Sequence, residues 1–197
     1  MNKYYEKIVK LNLEPYNTAI LCVDCQNGFT LRCEEELPVH GTDENWINSI
    51  SDFLKDCSKN DFRIYASKDN HSENHMSFNQ WPVHCVKGTY GGELFLKYYD
   101  YLVRKGSTDN SESYSAFYEN QDLKIANKLQ SLLEINEIEN LIIFGLAGDV
   151  CVLATLKTAL KKGYKVYIIE EFIKSVSKKD FSEILKDENL LKKVVVI

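Results

Sequence analysis

The sequence has few prolines and glycines and no long apolar run. Its 197 residues include three prolines and nine glycines, and no Pro-rich linker, Gly-rich linker or internal repeat marks a second domain. No apolar run approaches the length of a membrane-spanning helix, and the first seventeen residues are charged and amphipathic, unlike a signal peptide. We therefore predict one domain over residues 1–197, with residues 1–17 as an N-terminal extension, and a cytoplasmic location.

Charge of one sign is not concentrated anywhere in the chain. The 24 basic and 29 acidic side chains give a net charge of -5, and no block of like charge could follow a phosphate backbone or an anionic membrane. We expect neither nucleic acid nor a membrane as a partner. The sequence leaves the oligomeric state open, a homo-oligomer included.

The six cysteines are not accompanied by an export signal, which favours reduced thiols over a disulfide framework. Cys22 and Cys25 form a C-x-x-C pair, which is the spacing of redox and zinc motifs. However, Asp24 lies between them in an apolar strand, and the strand-turn-helix setting of a redox motif is not evident. We expect most of the cysteines to be core residues.

Short apolar runs alternate with helical patterns along the chain. The runs have the length of strands, and the segments between them repeat apolar residues at helical spacing, from Trp46 to Cys57 and from Leu123 to Leu133. This alternation predicts an α/β fold of three layers, in which a mostly parallel sheet of about six strands carries helices on both faces. The predicted strands are 18–24, 62–69, 101–106, 141–147, 165–171 and the C-terminal VVVI.

Three of the four histidines lie close together after the second predicted strand. The segment from Asn70 to Gly92 is rich in His, Asn, Ser and Gly and lacks periodicity, which is typical of a functional loop. The pattern D-x-H-x3-H...H is formed by Asp69, His71, His75 and His84. One carboxylate and up to three imidazoles suit one divalent metal ion, with zinc favoured and iron or manganese as alternatives. Any one loop histidine alone would be read as a surface residue.

Three further polar residues stand at predicted element ends. Asp24 ends the first strand, Lys105 ends the third, and Cys151 follows the turn GLAGDV at the start of a buried helix. A helix start favours a thiolate, and the N–H groups of the turn could bind an oxyanion. Taken singly, a lysine is usually a surface residue and a cysteine a small buried one. Because the carboxyl ends of parallel strands share one edge, we expect these three residues and the histidine loop to meet in one crevice.

Six sequence motifs follow one another along the chain from about Ala19 to the last predicted strand. They are AILCVDCQNGF, ELPVHGTDE, SKDNHSENHMSF, WPVHCVKGT, KG followed by ESYSAF, and GLAGDVCV. A single such motif would be weak evidence, whereas six in order are specific. Together they resemble the isochorismatase-like hydrolase superfamily and, within it, the nicotinamidases.

The resemblance implies a cysteine amidohydrolase that converts nicotinamide, or a similar small pyridine carboxamide, to nicotinate and ammonia in NAD salvage. A thioester on the cysteine would be the intermediate. The catalytic triad that it implies is Asp24, Lys105 and Cys151. The metal ligands that it implies are Asp69, His71 and His84, with His75 as a fourth ligand in many members.

The resemblance also implies an oxyanion hole and a substrate pocket. The hole would be formed by the backbone N–H groups of Ala147 and Cys151, and the peptide bond between Leu146 and Ala147 would be cis. Aromatic side chains would sandwich the substrate ring, although plain core packing is an alternative role for Phe29. The matching aromatic residues are Phe29, Trp81 and Tyr114.

One departure from the family pattern lies in the nucleophile turn. The family commonly has Ala-Thr-Asp there, whereas this chain has Gly148 in place of the threonine. We expect the glycine to loosen the turn, since it removes a hydroxyl and frees the backbone. The nucleophile itself is unaffected.

Two alternatives to the nicotinamidase reading remain open. One is another amidohydrolase of the same superfamily that acts on an N-carbamoyl or ureido amide, because the triad alone does not choose the substrate. The other is a non-catalytic metal-binding or redox-sensing protein that uses Cys151 as a sensor. Asp24 and Lys105 favour an enzyme over a sensor.

Overall fold

The computed structural model describes residues 2–120 and 125–197. The strands there are β1 (Thr18–Val23), β2 (Arg63–Asp69), β3 (Tyr101–Lys105), β4 (Tyr118–Asn120), β5 (Ile125–Ala126), β6 (Asn140–Gly145), β7 (Lys165–Ile173) and β8 (Val194–Val196). The α-helices are α1 (Lys3–Lys10), α2 (Glu44–Lys59), α3 (Leu129–Ile135), α4 (Leu153–Lys161) and α5 (Phe181–Asp187). A π-helical turn, Gly148–Val152, leads directly into α4.

Six of the strands form one parallel sheet in the order β3, β2, β1, β6, β7, β8. Parallel neighbours need crossover connections, which α2, α4 and the loops supply. The winding direction reverses at β1, which pairs with both β2 and β6. The carboxyl ends of β1 and β6 therefore flank a topological switch point, where open α/β sheets place their ligand crevice.

Helices cover both faces of this sheet, and every residue of β1 and β6 is buried. In β1, Leu21 pairs with Tyr65 of β2, and the next residue, Cys22, pairs with Phe144 of β6. Because successive side chains along a strand point to opposite faces, Tyr65 and Phe144 lie on opposite faces of the sheet. The Phe144 ring packs on Phe53 of α2, whereas the Tyr65 hydroxyl donates to the Leu132 carbonyl of α3. The predicted fold class, three layers around about six mostly parallel strands, is confirmed.

The helix predicted from Leu123 to Leu133 is wrong at its amino end. Leu123 lies outside the described residues, and Ala126 belongs to the short hairpin of β4 and β5 instead. The Asn127 side chain donates to the Ala116 carbonyl and accepts from the Leu129 N–H, so α3 begins only at Leu129. Such local hydrogen bonds of an asparagine side chain compete with helix formation by the backbone. The helix predicted from Trp46 to Cys57 is confirmed as α2.

The N-terminal extension packs on the core through α1. Asn2 caps this helix by accepting from the Tyr4 N–H, and its own N–H donates to Asp56 of α2. Ile8 is fully buried, and the Tyr4 ring lies 4.6 Å from the ring of Phe172 in β7. The extension thus closes one side of the hydrophobic core. No helix in the two described ranges has the length and apolar character that crossing a bilayer requires.

Candidate active site

Asp24, Asp69 and Lys105 end three adjacent strands and meet at the carboxyl edge of the sheet. The Lys105 Nζ atom lies 2.9 Å from Asp24 Oδ2 and 2.5 Å from Asp69 Oδ1. It also donates to the Ser113 carbonyl at 2.8 Å and to Cys151 Sγ at 3.5 Å. Lys105 and Asp24 have no solvent exposure, and Cys151 is 5% exposed. The structure therefore brings the predicted acid, ammonium group and thiol into one buried cluster.

The Asp24 carboxylate is aimed by an unusual backbone conformation. Its φ of 47° lies in the left-handed region, which aspartate tolerates better than most residues. The Asp24 N–H donates to the Ser67 carbonyl, and the Ser67 hydroxyl donates to Asp24 Oδ1 at 2.7 Å. This leaves Oδ2 facing Lys105 and the thiol. The sharp bend after β1 thus turns the side chain into the crevice.

Burial and charge set the protonation states of the cluster. Burial raises the pKa of Asp24 to about 6, although the Lys105 charge opposes the shift. Burial also raises the pKa of the Cys151 thiol well above its ordinary value, again against the effect of Lys105. Burial alone would lower the pKa of Lys105, but Asp24 and Asp69 raise it well above its usual range. The thiol therefore needs a base to become a thiolate, and the buried Asp24 carboxylate lies in the same cluster.

Asp69, His71 and His84 form a possible metal-ligand set. One donor atom from each lies within 4.8 Å of the other two, and all three residues are buried. The His84 Nδ1 atom is 2.7 Å from the Pro82 carbonyl. A proton on Nδ1 would satisfy that contact and leave Nε2 free as a metal ligand. The His71 carbonyl accepts from the Lys87 N–H, which holds the two ends of the loop together.

The ring of His71 gives the clearest sign that a cation fits here. His71 is 1% exposed, yet neither ring nitrogen has a hydrogen-bond partner among the described residues. Buried polar atoms without partners are costly and rare. The Nε2 atom lies 3.7 Å from Asp69 Oδ1, so an ion between them would satisfy both groups. The donor set of one carboxylate and two imidazoles suits zinc, iron(II) or manganese(II).

His75 lies next to this set but is engaged elsewhere. Its ring stacks on the His71 ring at a centroid distance of 4.0 Å. Its Nδ1 atom is 2.8 Å from the Ser77 hydroxyl, and its Nε2 atom is 3.0 Å from the Ser111 carbonyl. To ligate a metal ion, His75 would have to give up one of these contacts.

A small cavity opens between the Cys151 thiol and His84. The predicted aromatic residues Phe29, Trp81 and Tyr114 all line it. Its remaining lining residues are Leu37, Val39, Asp69, His84, Glu112, Ala147, Val150, Cys151 and Val176. Apolar walls with a few convergent polar groups are typical of small-molecule sites. The cavity thus presents the thiol and two metal-ligand candidates to the same ligand.

Comparison with known proteins agrees with this arrangement. Residues 18–196, nearly the whole chain, match the model of the isochorismatase domain. The chain belongs to the isochorismatase family. Within this family it is 30% identical to the nicotinamidase of Escherichia coli over 182 residues, which cover 81% of this chain and 84% of that protein.

Solved structures of related proteins share the fold. The pyrazinamidase of Pyrococcus horikoshii in complex with zinc superposes with a TM-score of 0.80 and 27% identity, covering 92% of this chain and 98% of that one. PnC1 from L. infantum in complex with nicotinate gives a TM-score of 0.81 and 29% identity, covering 93% of both chains. The resemblance to isochorismatase-like hydrolases seen in the motifs is thereby confirmed.

The nucleophile turn of this isochorismatase-family chain runs from Leu146 into α4. The peptide bond between Leu146 and Ala147 is cis, as the resemblance implies. Cys151 lies in the π-helical turn, two residues before the α-helix begins at Leu153. The loosening expected from Gly148 stays a prediction, and the structure shows that side chains of Ile173, Ser175 and Phe181 pack directly against this glycine. Its N–H donates to the Lys174 carbonyl at 2.8 Å.

Glu112 is a site residue that the sequence reasoning missed. Its Oε1 atom lies 3.8 Å from His71 Nε2, and its carboxylate lines the cavity. Together with His71 and His75 it forms a second possible ligand set. A signal was available, because Glu112 is the first residue of ESYSAF, one of the six motifs, and this motif follows Lys105. The motif alone did not show that its glutamate lies next to the proposed metal ligands.

The C-x-x-C pair takes no part in the cavity. Cys22 and Cys25 are fully buried, and Cys25 Sγ donates to the Val23 carbonyl. Burial raises the pKa of Cys22 well above its ordinary value, which makes its thiol a poor nucleophile. All six cysteines are free and buried. This burial agrees with the expectation that most of them are core residues.

Proposed function

We propose that this protein is a nicotinamidase that hydrolyses nicotinamide to nicotinate and ammonia in NAD salvage. The observation that carries the proposal is the cavity itself, which presents Cys151, His84 and an aromatic lining to one small ligand. The similarity to the nicotinamidase of Escherichia coli and to the nicotinate complex of the L. infantum protein supports the same substrate.

In the first half of the proposed reaction, Asp24 accepts the Cys151 proton and the thiolate attacks the carboxamide carbon. The carbon–oxygen π pair moves to oxygen, which the N–H groups of Ala147 and Cys151 stabilise. Collapse of this tetrahedral species breaks the carbon–nitrogen bond, and the leaving nitrogen takes the proton from Asp24. Ammonia departs and a thioester remains on Cys151.

In the second half, Asp24 removes a proton from water, and the resulting hydroxide attacks the thioester carbon. The carbon–sulfur bond breaks, and Asp24 returns its proton to the thiolate. The acid that is released loses its remaining proton to solvent and leaves as nicotinate. Lys105 stays charged throughout, since two carboxylates raise its pKa, and its ammonium group stabilises both the carboxylate and the thiolate.

The proposed metal ligands are Asp69, His71 and His84, with His75 as a possible fourth ligand and Glu112 as a competitor for that place. Zinc is the proposed ion, supported by the zinc complex of the Pyrococcus horikoshii relative. A bound divalent ion would offer an open coordination position to the ring nitrogen of the substrate. Phe29, Trp81 and Tyr114 would hold the ring faces, and this placement keeps the carboxamide near the thiol.

An ammonia-release assay on a panel of amides tests the proposal. Nicotinamide should be the best substrate, and removal of the metal by a chelator should raise its KM. The panel should include an N-carbamoyl amino acid, because the triad also suits that class of amide. Ammonia release from the carbamoyl compound but not from nicotinamide would replace the proposed function with the alternative one.

A further inference from the structure

The nucleophile turn is bonded to a second segment of chain, Lys174–Ser177, that follows β7. The Gly148 N–H donates to the Lys174 carbonyl at 2.8 Å. The Asp149 carboxylate then accepts two consecutive N–H groups, with Oδ1 2.9 Å from the Val176 nitrogen and Oδ2 2.8 Å from the Ser177 nitrogen. Because both carboxylate oxygens are used, the contact fixes the orientation of the segment as well as its distance.

This approach leaves no room for a side chain at position 148 unless the neighbouring side chains shift. A Cβ atom there would lie 2.5 Å from Ser175 Oγ and 2.8 Å from Ile173 Cγ2, closer than real Cβ atoms come to their neighbours. Ser175 is 4% exposed, and its hydroxyl occupies the space that a side chain at position 148 would enter. The missing side chain therefore lets the two segments pack tightly.

Both segments contribute to one wall of the cavity. Ala147, Val150 and Cys151 line it from the turn, and Val176 lines it from the second segment. The Asp149 carboxylate faces the second segment, and Asp149 is not among the described residues that line the cavity. A single side chain thus connects the backbone that carries the nucleophile to a residue that faces the ligand.

We propose that Asp149 is a positioning residue. By binding the backbone of Lys174–Ser177, which packs against Gly148, its side chain fixes the position of the nucleophile turn relative to Val176. This inference rests on the proposed function, since it concerns the N–H groups of Ala147 and Cys151. Donors that are fixed before the reaction stabilise an oxyanion better than donors that must reorganise. Loss of the Asp149 contacts therefore weakens binding of the oxyanion more than binding of the ring.

The test compares Asp149→Ala and Asp149→Asn with Asp100→Ala in the metal-loaded enzyme. Asp100 is a matched control because its carboxylate also accepts a backbone N–H, that of Ile64 at 2.7 Å, at the amino-terminal edge of the sheet. Steady-state kinetics on nicotinamide give kcat and KM. Two ligands separate the turn from the ring pocket: nicotinate, which fills the ring pocket, and pyridine-3-carbaldehyde. Asp24 accepts the Cys151 proton as the sulfur adds to the aldehyde carbon, and the π pair moves to the oxygen in the oxyanion hole.

Asp149→Ala should lower kcat by about tenfold to a hundredfold, as expected for a small misplacement of catalytic groups. The same substitution should weaken binding of the aldehyde to a similar extent, and the Kd of nicotinate should stay within about threefold of the wild-type value. Asp149→Asn, which keeps one acceptor oxygen, should be intermediate. Asp100→Ala should leave kcat and the affinities for both ligands unchanged. Thermal unfolding of each variant verifies that the assayed protein is folded. If Asp149→Ala does not fold, Asp149→Asn replaces it in the comparison.

A second pair of variants tests the role of glycine. Gly148→Ala should reproduce the loss in kcat and aldehyde binding, because its methyl group displaces Ser175. Adding Ser175→Ala should restore part of both, since the Ser175 hydroxyl makes no hydrogen bond within the described part of the chain. Full activity and full aldehyde binding in Asp149→Ala, or equal weakening of aldehyde and nicotinate, would overturn the inference alone. A wild-type protein that releases no ammonia from nicotinamide would overturn the proposed function first.

Discussion

The Lys105 ammonium group lies 2.5 Å from Asp69 Oδ1, so a proposed metal ligand is also the direct ion-pair partner of the lysine beside the nucleophile. Asp69 belongs to two overlapping clusters, one with His71 and His84 and one with Asp24 and Cys151. The proposed metal site and the thiol cluster are therefore joined through one carboxylate. A substitution in either of these two clusters is therefore expected to alter the other cluster.

Lys105→Met should destabilise the fold as well as abolish activity. The lysine has no solvent exposure, and its loss leaves two buried carboxylates without a counter-charge. Breaking a buried ion pair from one side typically costs about 3–5 kcal/mol. Urea unfolding of the metal-free proteins measures this loss. Lys179→Met is the control, because that exposed ion pair should contribute far less. Equal effects of the two substitutions would contradict the buried cluster.

Cys151→Ala should reduce turnover of nicotinamide by about a thousandfold or more, since the nucleophile carries the covalent step. Metal content and unfolding midpoint should remain close to wild type. Cys57→Ala is the matched control, because that thiol is fully buried in α2 and away from the cavity. It should lower stability while the folded protein keeps its kcat. Retained turnover in Cys151→Ala would refute covalent catalysis by this residue.

The pH profile should show an acid limb set by Asp24. Its pKa is raised to about 6 by burial, so the carboxylate is protonated below that pH and cannot accept the thiol proton. The kcat/KM for nicotinamide should therefore fall about tenfold per pH unit below about 6. Bound metal must be assayed at each pH so that loss of the ion is not mistaken for titration of Asp24. A profile that stays flat down to pH about 4 would argue against Asp24 as the base.

His84→Ala should weaken metal binding by more than about a hundredfold, because it removes a proposed ligand rather than a supporting group. Chelator competition and elemental analysis measure the change. His40→Ala is the matched control, since His40 is exposed and is the one histidine of the sequence outside the segment from Asn70 to Gly92. Its metal content should equal that of wild type. Unchanged metal content in His84→Ala would remove His84 from the ligand set.

Glu112→Gln should weaken metal binding by about tenfold, the usual effect of losing a group next to the ligands. The carboxylate lies 3.8 Å from His71 Nε2, so its charge favours a cation there. Glu119→Gln changes a nearby partly buried glutamate and should leave metal affinity unaltered. A loss as large as that of His84→Ala would instead make Glu112 a direct ligand, in the place proposed for His75.

The sequence predicted the features that depend on local pattern and on strand topology. Apolar runs located the six strands of the sheet, and the shared edge of parallel strands explained why Asp24 and Lys105 meet. The clustering of histidines within one loop pointed to the ligand set with Asp69. These inferences needed no knowledge of distant contacts.

The remaining features depend on contacts between residues far apart in the chain. The packing of Ser175 on Gly148 leaves no periodicity or motif that could reveal it. The ESYSAF motif begins at Glu112, but the motif does not show that this carboxylate approaches His71. The hairpin of β4 and β5 has strands of three and two residues, too short to show alternation. The helix predicted from Leu123 was therefore wrong at Ala126, which lies in β5, and α3 begins only at Leu129.

The left-handed backbone at Asp24 limits which amino acids can replace it informatively. Asparagine shares both the shape of aspartate and its tolerance of positive φ, whereas alanine carries a conformational penalty of roughly 1–2 kcal/mol there. Any library of variants at this position would therefore rank residues by two quantities at once, backbone compatibility and proton transfer. Only the asparagine substitution separates these two quantities. Relatives that have lost the chemistry should still carry, at this position, a residue that tolerates a positive φ.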